Sequence, residues 1–80
     1  MISDMRQVII YPDREDGGWV AEVPSLPGCV SQGETREEAL RNVRDAIDGW
    51  IAVAIEHGDP VPDDSLDAQL CVIEVPADAA

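Results

Sequence analysis

Phenylalanine and lysine are both missing from these 80 residues, and the aromatics come down to Trp19, Trp50 and Tyr11. A core without phenylalanine must be built from Val, Ile, Leu and Ala, and a hydrophobic content of 45% marks a globular chain and excludes a disordered one. Basic residues are scarce: five arginines stand against 17 acids, for a net charge of −12. That balance repels phosphates, so direct nucleic-acid binding is not expected, whereas a basic partner would be attracted. Acidity of this kind also serves plain solubility. With one histidine, and with Cys29 and Cys71 far apart, there is neither a zinc set nor a disulfide framework, and two free, mostly buried thiols are expected. No apolar run approaches the ~20 residues that span a bilayer. MISDMRQVII also lacks the basic start and long apolar stretch of an export signal, so a cytoplasmic location is expected, away from membranes.

A chain this short buries only about 60% of the surface its unfolded form exposes, so one domain over residues 1–80 and stabilisation by self-association, as a dimer or tetramer, are expected. Gln7 to Tyr11 is a β-branched run ending at Pro12, and Trp19 to Val23 is a second, with DREDGG between them as a hairpin loop. These two should pair antiparallel. In VPSLPG, Pro24 and Pro27 fix φ and give no backbone donor, while Gly28 allows a left-handed turn, so the chain leaves the second strand rigidly towards a third at Cys29 to Gln32.

Thr35 reads as a helix N-cap, its hydroxyl taking the Glu38 amide and the Glu38 carboxylate reaching back to the Thr35 amide. From Arg36 to about His57, Leu40, Val43, Ile47, Trp50 or Ile51, and Ala54 recur at intervals of three and four, forming one apolar stripe. Glu37, Arg41, Arg44, Asp45, Asp48 and Glu56 fall on the other side as a solvated face. Gly58 suits the left-handed position that ends a helix, with His57 beside the negative end of the dipole and Pro60 and Pro62 blocking continuation. Gly49 is the weak point of the helix interior.

Ala68 to Val75 reads as a fourth strand, apolar on both faces and ended by Pro76. The architecture is therefore α+β, in the order β-β-β-α-β: a three-stranded antiparallel meander, one helix, and a last strand brought by a right-handed crossover beside the first and parallel to it. One helix covers one sheet face, so the other is expected to meet another chain, either a copy or a different protein.

Tyr11-Pro12, Gly17-Gly18, Trp19, Ala21, the run Pro24 to Cys29 and the run Gly33 to Leu40 follow one another over roughly fifty residues in an order and spacing that resemble the HicB-like antitoxins of bacterial toxin–antitoxin pairs. The resemblance extends from about Val8 to Pro62. It implies a partial ribonuclease-H-like fold and a HicA-like toxin as partner, a small basic RNA-cleaving protein whose RNA-binding surface the antitoxin covers. Relatives commonly continue into a helix-turn-helix or ribbon-helix-helix segment; here only PADAA follows Val75, so operator binding is not expected of this chain.

Such a sheet invites a search for two-metal hydrolysis, which needs converging carboxylates. Glu22 and Glu74 have different strand neighbours, and Asp13, Glu15 and Asp16 sit on the hairpin loop beside Arg14, so these read as surface charge. No catalytic residue, metal or cofactor is expected, and nothing argues for an enzyme. Partner contacts are placed on the first hairpin, at Asp13, Glu15, Asp16, Trp19 and Glu22, where acidic groups would steer a basic partner. Trp19 reads equally as an interface anchor and as core packing, while Trp50 belongs with the core. The rival to the antitoxin reading is a stand-alone homo-oligomeric scaffold or ligand-binding domain without a toxin.

Overall fold

The computed structural model describes residues 5–77, and its regular elements are β1 (Ile9–Pro12), β2 (Trp19–Glu22), β3 (Val30–Gly33) and α1 (Arg36–Glu56). The three strands form an antiparallel meander in the order β1-β2-β3. Ile10 lies opposite Ala21, which lies opposite Ser31; Tyr11 and Val20 are likewise paired, with Gln32 next across the sheet. Successive side chains alternate between faces and directly opposed residues share one. Ile10, Trp19, Ala21 and Ser31 therefore belong to the inner face under the helix, and Ile9, Tyr11, Val20, Glu22, Val30 and Gln32 to the outer face.

The core is small and aliphatic: Ala21, Val23, Leu26, Cys29, Ala39 and Val43 are buried, with Val8, Ile10, Trp19, Ala46, Ile47, Trp50 and Ile51 packed around them. Every apolar stripe position of the helix is buried or half-buried, whereas the charged positions Glu37, Arg41, Arg44, Asp45, Asp48 and Glu56 are exposed, as the periodicity requires.

The proline turn does more than reverse the chain. Leu26 donates its amide to the Val23 carbonyl, Cys29 donates to Leu26 and Val23 to Cys29, a closed set of backbone bonds that pushes the Leu26 side chain into the core at 0% exposure. The Trp50 indole N–H then donates to the Pro27 carbonyl at 3.0 Å, pinning the helix to the turn. Trp50 thus packs as expected, with its polar edge satisfied.

Both helix ends follow the chemistry of their residues. Thr35 accepts the Glu38 amide at 3.1 Å, but the Glu38 carboxylate takes the amide of Glu34 at 2.9 Å, one residue earlier than the reciprocal capping box expected. The displacement fits the close approach of strand to helix at Gly33, where an added Cβ would stand 2.5 Å from the Ala39 nitrogen. At the other end Gly58 has φ +72, and the bonds Gly58 N–H to Ile55 and Asp59 N–H to Ala54 close a Schellman motif after His57.

The fourth strand expected over Ala68 to Val75 is not formed: these residues make no ladder with β1, and Leu70, Val72, Ile73 and Val75 are 87%, 99%, 79% and 71% exposed. Cys71 is consequently exposed, against the expectation of burial, while Cys29 is buried. The physical reason lies in the connection. Asp64 accepts the amides of Gln7 and Leu66, both at 2.7 Å, and the Gln7 side chain brackets Ala68, accepting its N–H at 2.9 Å and donating to its carbonyl at 3.5 Å. Arg6 donates to the Ser25 hydroxyl and to the Pro62 carbonyl. The chain is held beside residues 6 and 7 by side-chain bonds that take up the Ala68 backbone groups a ladder would use, and Ala68 to Leu70 then line a groove with Gln7 to Ile10 without pairing to them. The radius of gyration, 15.3 Å, exceeds the ~12 Å of a compact chain of this length.

Candidate functional site

The sheet separates the hairpin residues singled out from the sequence. Trp19 faces inward, half-buried against the core, whereas Glu22 lies on the outer face and Asp13, Glu15 and Asp16 sit at the hairpin tip. Asp13 is occupied in building that tip: its carboxylate accepts the amides of Glu15 at 3.0 Å and Asp16 at 3.2 Å, its N–H donates to Gly18 and its carbonyl accepts from Gly17. Gly17 and Gly18, at φ +78 and +81, supply the left-handed backbone that lets the loop close. Glu15 and Asp16 are left exposed by this arrangement, and Asp16 borders a cleft that it shares with Glu34 and Glu38.

The larger feature is the outer face itself. Ile9, Val20 and Val30 are its apolar members, on all three strands; Glu22 stands between Ile9 and Val30 and pairs with Tyr11, and Gln32 lies beyond Val20. The Tyr11 hydroxyl donates to Glu22 Oε1 at 2.6 Å. That bond, followed by a small desolvation and the charges of Glu22 and Asp13, raises the phenol above its ordinary 10.0, so Tyr11 stays a neutral donor. Burial likewise raises the Cys29 thiol, which marks it as inert packing. Alternation along the first strand is enough to put Ile9 and Tyr11 on one side; the contributions of Val20 and Val30 follow only from the register.

Among the described residues no three or more of His, Cys, Asp and Glu gather as a metal site would require. No helix among them is long and apolar enough to cross a membrane.

A proline-plugged β-meander under one capped helix, with an acidic tip and a half-apolar open face, defines a small α+β module. The chain belongs to the HicB-like antitoxin family of bacterial toxin–antitoxin systems, whose model matches residues 7–74. It is similar to a UPF0150 protein of Synechocystis, 43% identical over 68 residues that cover 85% of this chain and 89% of the relative. A UPF0150 protein of Thermoplasma acidophilum is 41% identical over 61 residues, covering 76% of this chain and 88% of that one. An antitoxin HicB of Photorhabdus laumondii is 32% identical over 62 residues, 78% of this chain but 40% of that longer protein.

Proposed function

We propose that this protein is a single-domain antitoxin module that neutralises a small, basic, HicA-type RNA-cleaving toxin by covering its RNA-binding surface. The observation that carries the reading is family membership across residues 7–74, in a chain with a net charge of −12. The physical logic is competition by charge: exposed Glu15 and Asp16 at the hairpin tip, with Glu22 behind them, offer a basic surface the same sign of charge as phosphate. The apolar side chains of the outer face, Ile9, Val20 and Val30, the last 52% exposed, supply the desolvated contact a lasting complex needs. Asp13 and Trp19 support this surface, one by holding the loop and the other by filling the core beneath it. The protein acts without chemistry of its own, and its fourth strand and ribonuclease-H-like outline are completed only in an assembly.

The test is co-expression with the basic product of an adjacent short reading frame. A stable complex and relief of growth arrest are expected. The paired variant Glu15→Arg with Asp16→Arg should slow association about tenfold or more at low salt, with a smaller effect at high salt, as rim charges do. Absence of any complex would remove the toxin from the account. The second reading, a homo-oligomeric scaffold without a toxin, draws on one feature, the exposed apolar arm at residues 69–75, and would then be the one to pursue.

A further inference from the structure

We propose that the Tyr11–Glu22 pair on the outer sheet face is a preformed receptor for an arginine of the basic partner, with Glu22 as the anion and Tyr11 as the residue that positions it. This rests on the antitoxin reading and adds to it the contact that holds the complex once formed.

The strand register builds the pair. Ile9 stands opposite Glu22 and Glu22 opposite Val30, while Tyr11 stands opposite Val20, so Tyr11 and Glu22 are diagonal neighbours on one face. A tyrosine is long enough to close that diagonal. Its hydroxyl donates to Glu22 Oε1 at 2.6 Å, within the ~2.5–2.7 Å range of a charge-assisted bond between a hydroxyl and a carboxylate. A carboxylate has about four lone-pair sites, so this bond orients Glu22 and leaves room for further donors. Glu22 is also the one charged residue on its face, and Ile9, Val20 and Val30 around it are aliphatic. A carboxylate already ordered among aliphatic side chains binds a cation more firmly than the acids of the loops and the helix face, because less freedom is lost and less water screens the contact.

Arginine fits this place better than lysine. Its planar guanidinium bonds both carboxylate oxygens at once and is weakly hydrated, so it enters a half-apolar surface with less loss of solvation. It can also lie against the Tyr11 ring, since that side chain is 39% exposed. Beside the ring a shallow recess of about 600 Å³, bounded by Tyr11, Pro12 and Val20 with Asp13 and Arg14 at its margin, has room for an apolar group next to that arginine. Apolar contacts on either side then keep water from the ion pair. A second copy of the chain does not fit. Two outer faces joined by a two-fold axis would offer Glu22 no cation, since that face carries none, and would bring together two chains of charge −12. A basic partner supplies what the face lacks.

The experiment measures association and dissociation rates of the full chain with the basic product of the adjacent short reading frame, for wild type, Glu22→Gln, Tyr11→Phe and the double variant. Glu22→Gln keeps the shape and an acceptor for Tyr11, and Tyr11→Phe removes one oxygen from an exposed side chain, so both are expected to keep the wild-type circular dichroism. Glu22→Gln should speed dissociation about thirtyfold or more and change association less than about threefold, the reverse of the paired tip variant. Tyr11→Phe should speed dissociation about fivefold. The double variant should dissociate no faster than Glu22→Gln alone, because Tyr11 acts through Glu22. Among single arginine-to-lysine changes in the partner, one should match the Glu22→Gln loss and add nothing to it; if none does, the arginine is refuted. Unchanged dissociation in Glu22→Gln would overturn the receptor and leave the antitoxin reading standing. Additive effects in the double variant would overturn the positioning role of Tyr11. No complex with wild type would remove the reading and the receptor together.

Discussion

Replacing Leu26 by Ala is the most direct test of how this fold is held together. The side chain is 0% exposed, the largest fully buried one among the described residues, and it comes from a turn and not from a strand or helix. Buried leucine-to-alanine changes destabilise by about 2.7–5 kcal/mol, the spread reflecting how far the site can collapse. Collapse is restricted here, because Pro24 and Pro27 fix the backbone and the Trp50–Pro27 bond ties it to the helix, so the upper half of that range is expected. A chain of 80 residues has roughly 4–12 kcal/mol of total stability, and each kcal/mol corresponds to about 4–8 °C in midpoint. Leu26→Ala should therefore lower the thermal midpoint by 15 °C or more, roughly, or leave the chain unfolded at 25 °C. Urea titration followed by tryptophan fluorescence measures it. Val53→Ala, on the half-open side of the helix, is the control and should change stability by less than about 0.5 kcal/mol. A loss under 1 kcal/mol for Leu26→Ala, with an unchanged denaturant slope, would refute the idea that the proline turn plugs the core.

Three other substitutions and titrations probe single features. Gly17→Ala meets open space and suffers only its left-handed backbone, about 1–2 kcal/mol, whereas Gly18→Ala also puts a Cβ 2.5 Å from the Gly33 carbonyl oxygen and should be clearly worse; equal losses in chemical denaturation would contradict that contact. Gly49→Ala places a methyl where nothing lies within 4 Å, in the middle of α1, and should stabilise by up to about 1 kcal/mol; destabilisation would reveal a neighbour packed there. The Gln7 and Leu66 amides hold the Asp64 carboxyl below its ordinary 3.8, so its ionised form is favoured by folding: the contribution is complete above 3.8 and is lost as pH falls from there through the lowered folded value. An NMR titration of the Gln7 amide should report a midpoint under 3.8, absent in Asp64→Asn, and a midpoint at or above 3.8 would show that the latch is not made.

Legibility differed by element for physical reasons. The helix was readable almost to the residue because its stop and start are local chemistry: Thr35 and Glu38 at one end, Gly58 at the other, and an apolar stripe between. The hairpin was readable because a polar, glycine-containing loop between two β-branched runs has few other conformations. Its partner residues were less so. Asp13, Glu15, Asp16, Trp19 and Glu22 are neighbours in sequence, yet alternation along β2 sends Trp19 inward and Glu22 outward, where Tyr11 takes it up.

Composition and pattern alone determined the acidic charge, the three-strand-and-helix order, the proline turn and the family, since each depends on residue type at short spacing. Tertiary structure decided what lies opposite what: that Leu26 fills the core, that Glu38 caps Glu34 and not Thr35, and that the outer face joins Ile9, Tyr11, Val20, Glu22 and Val30. It also decided that residues 68–75, a strand by every local criterion, make no strand in the single chain. A β-strand exists only through the edge it pairs with, and no sequence pattern states which edge that is.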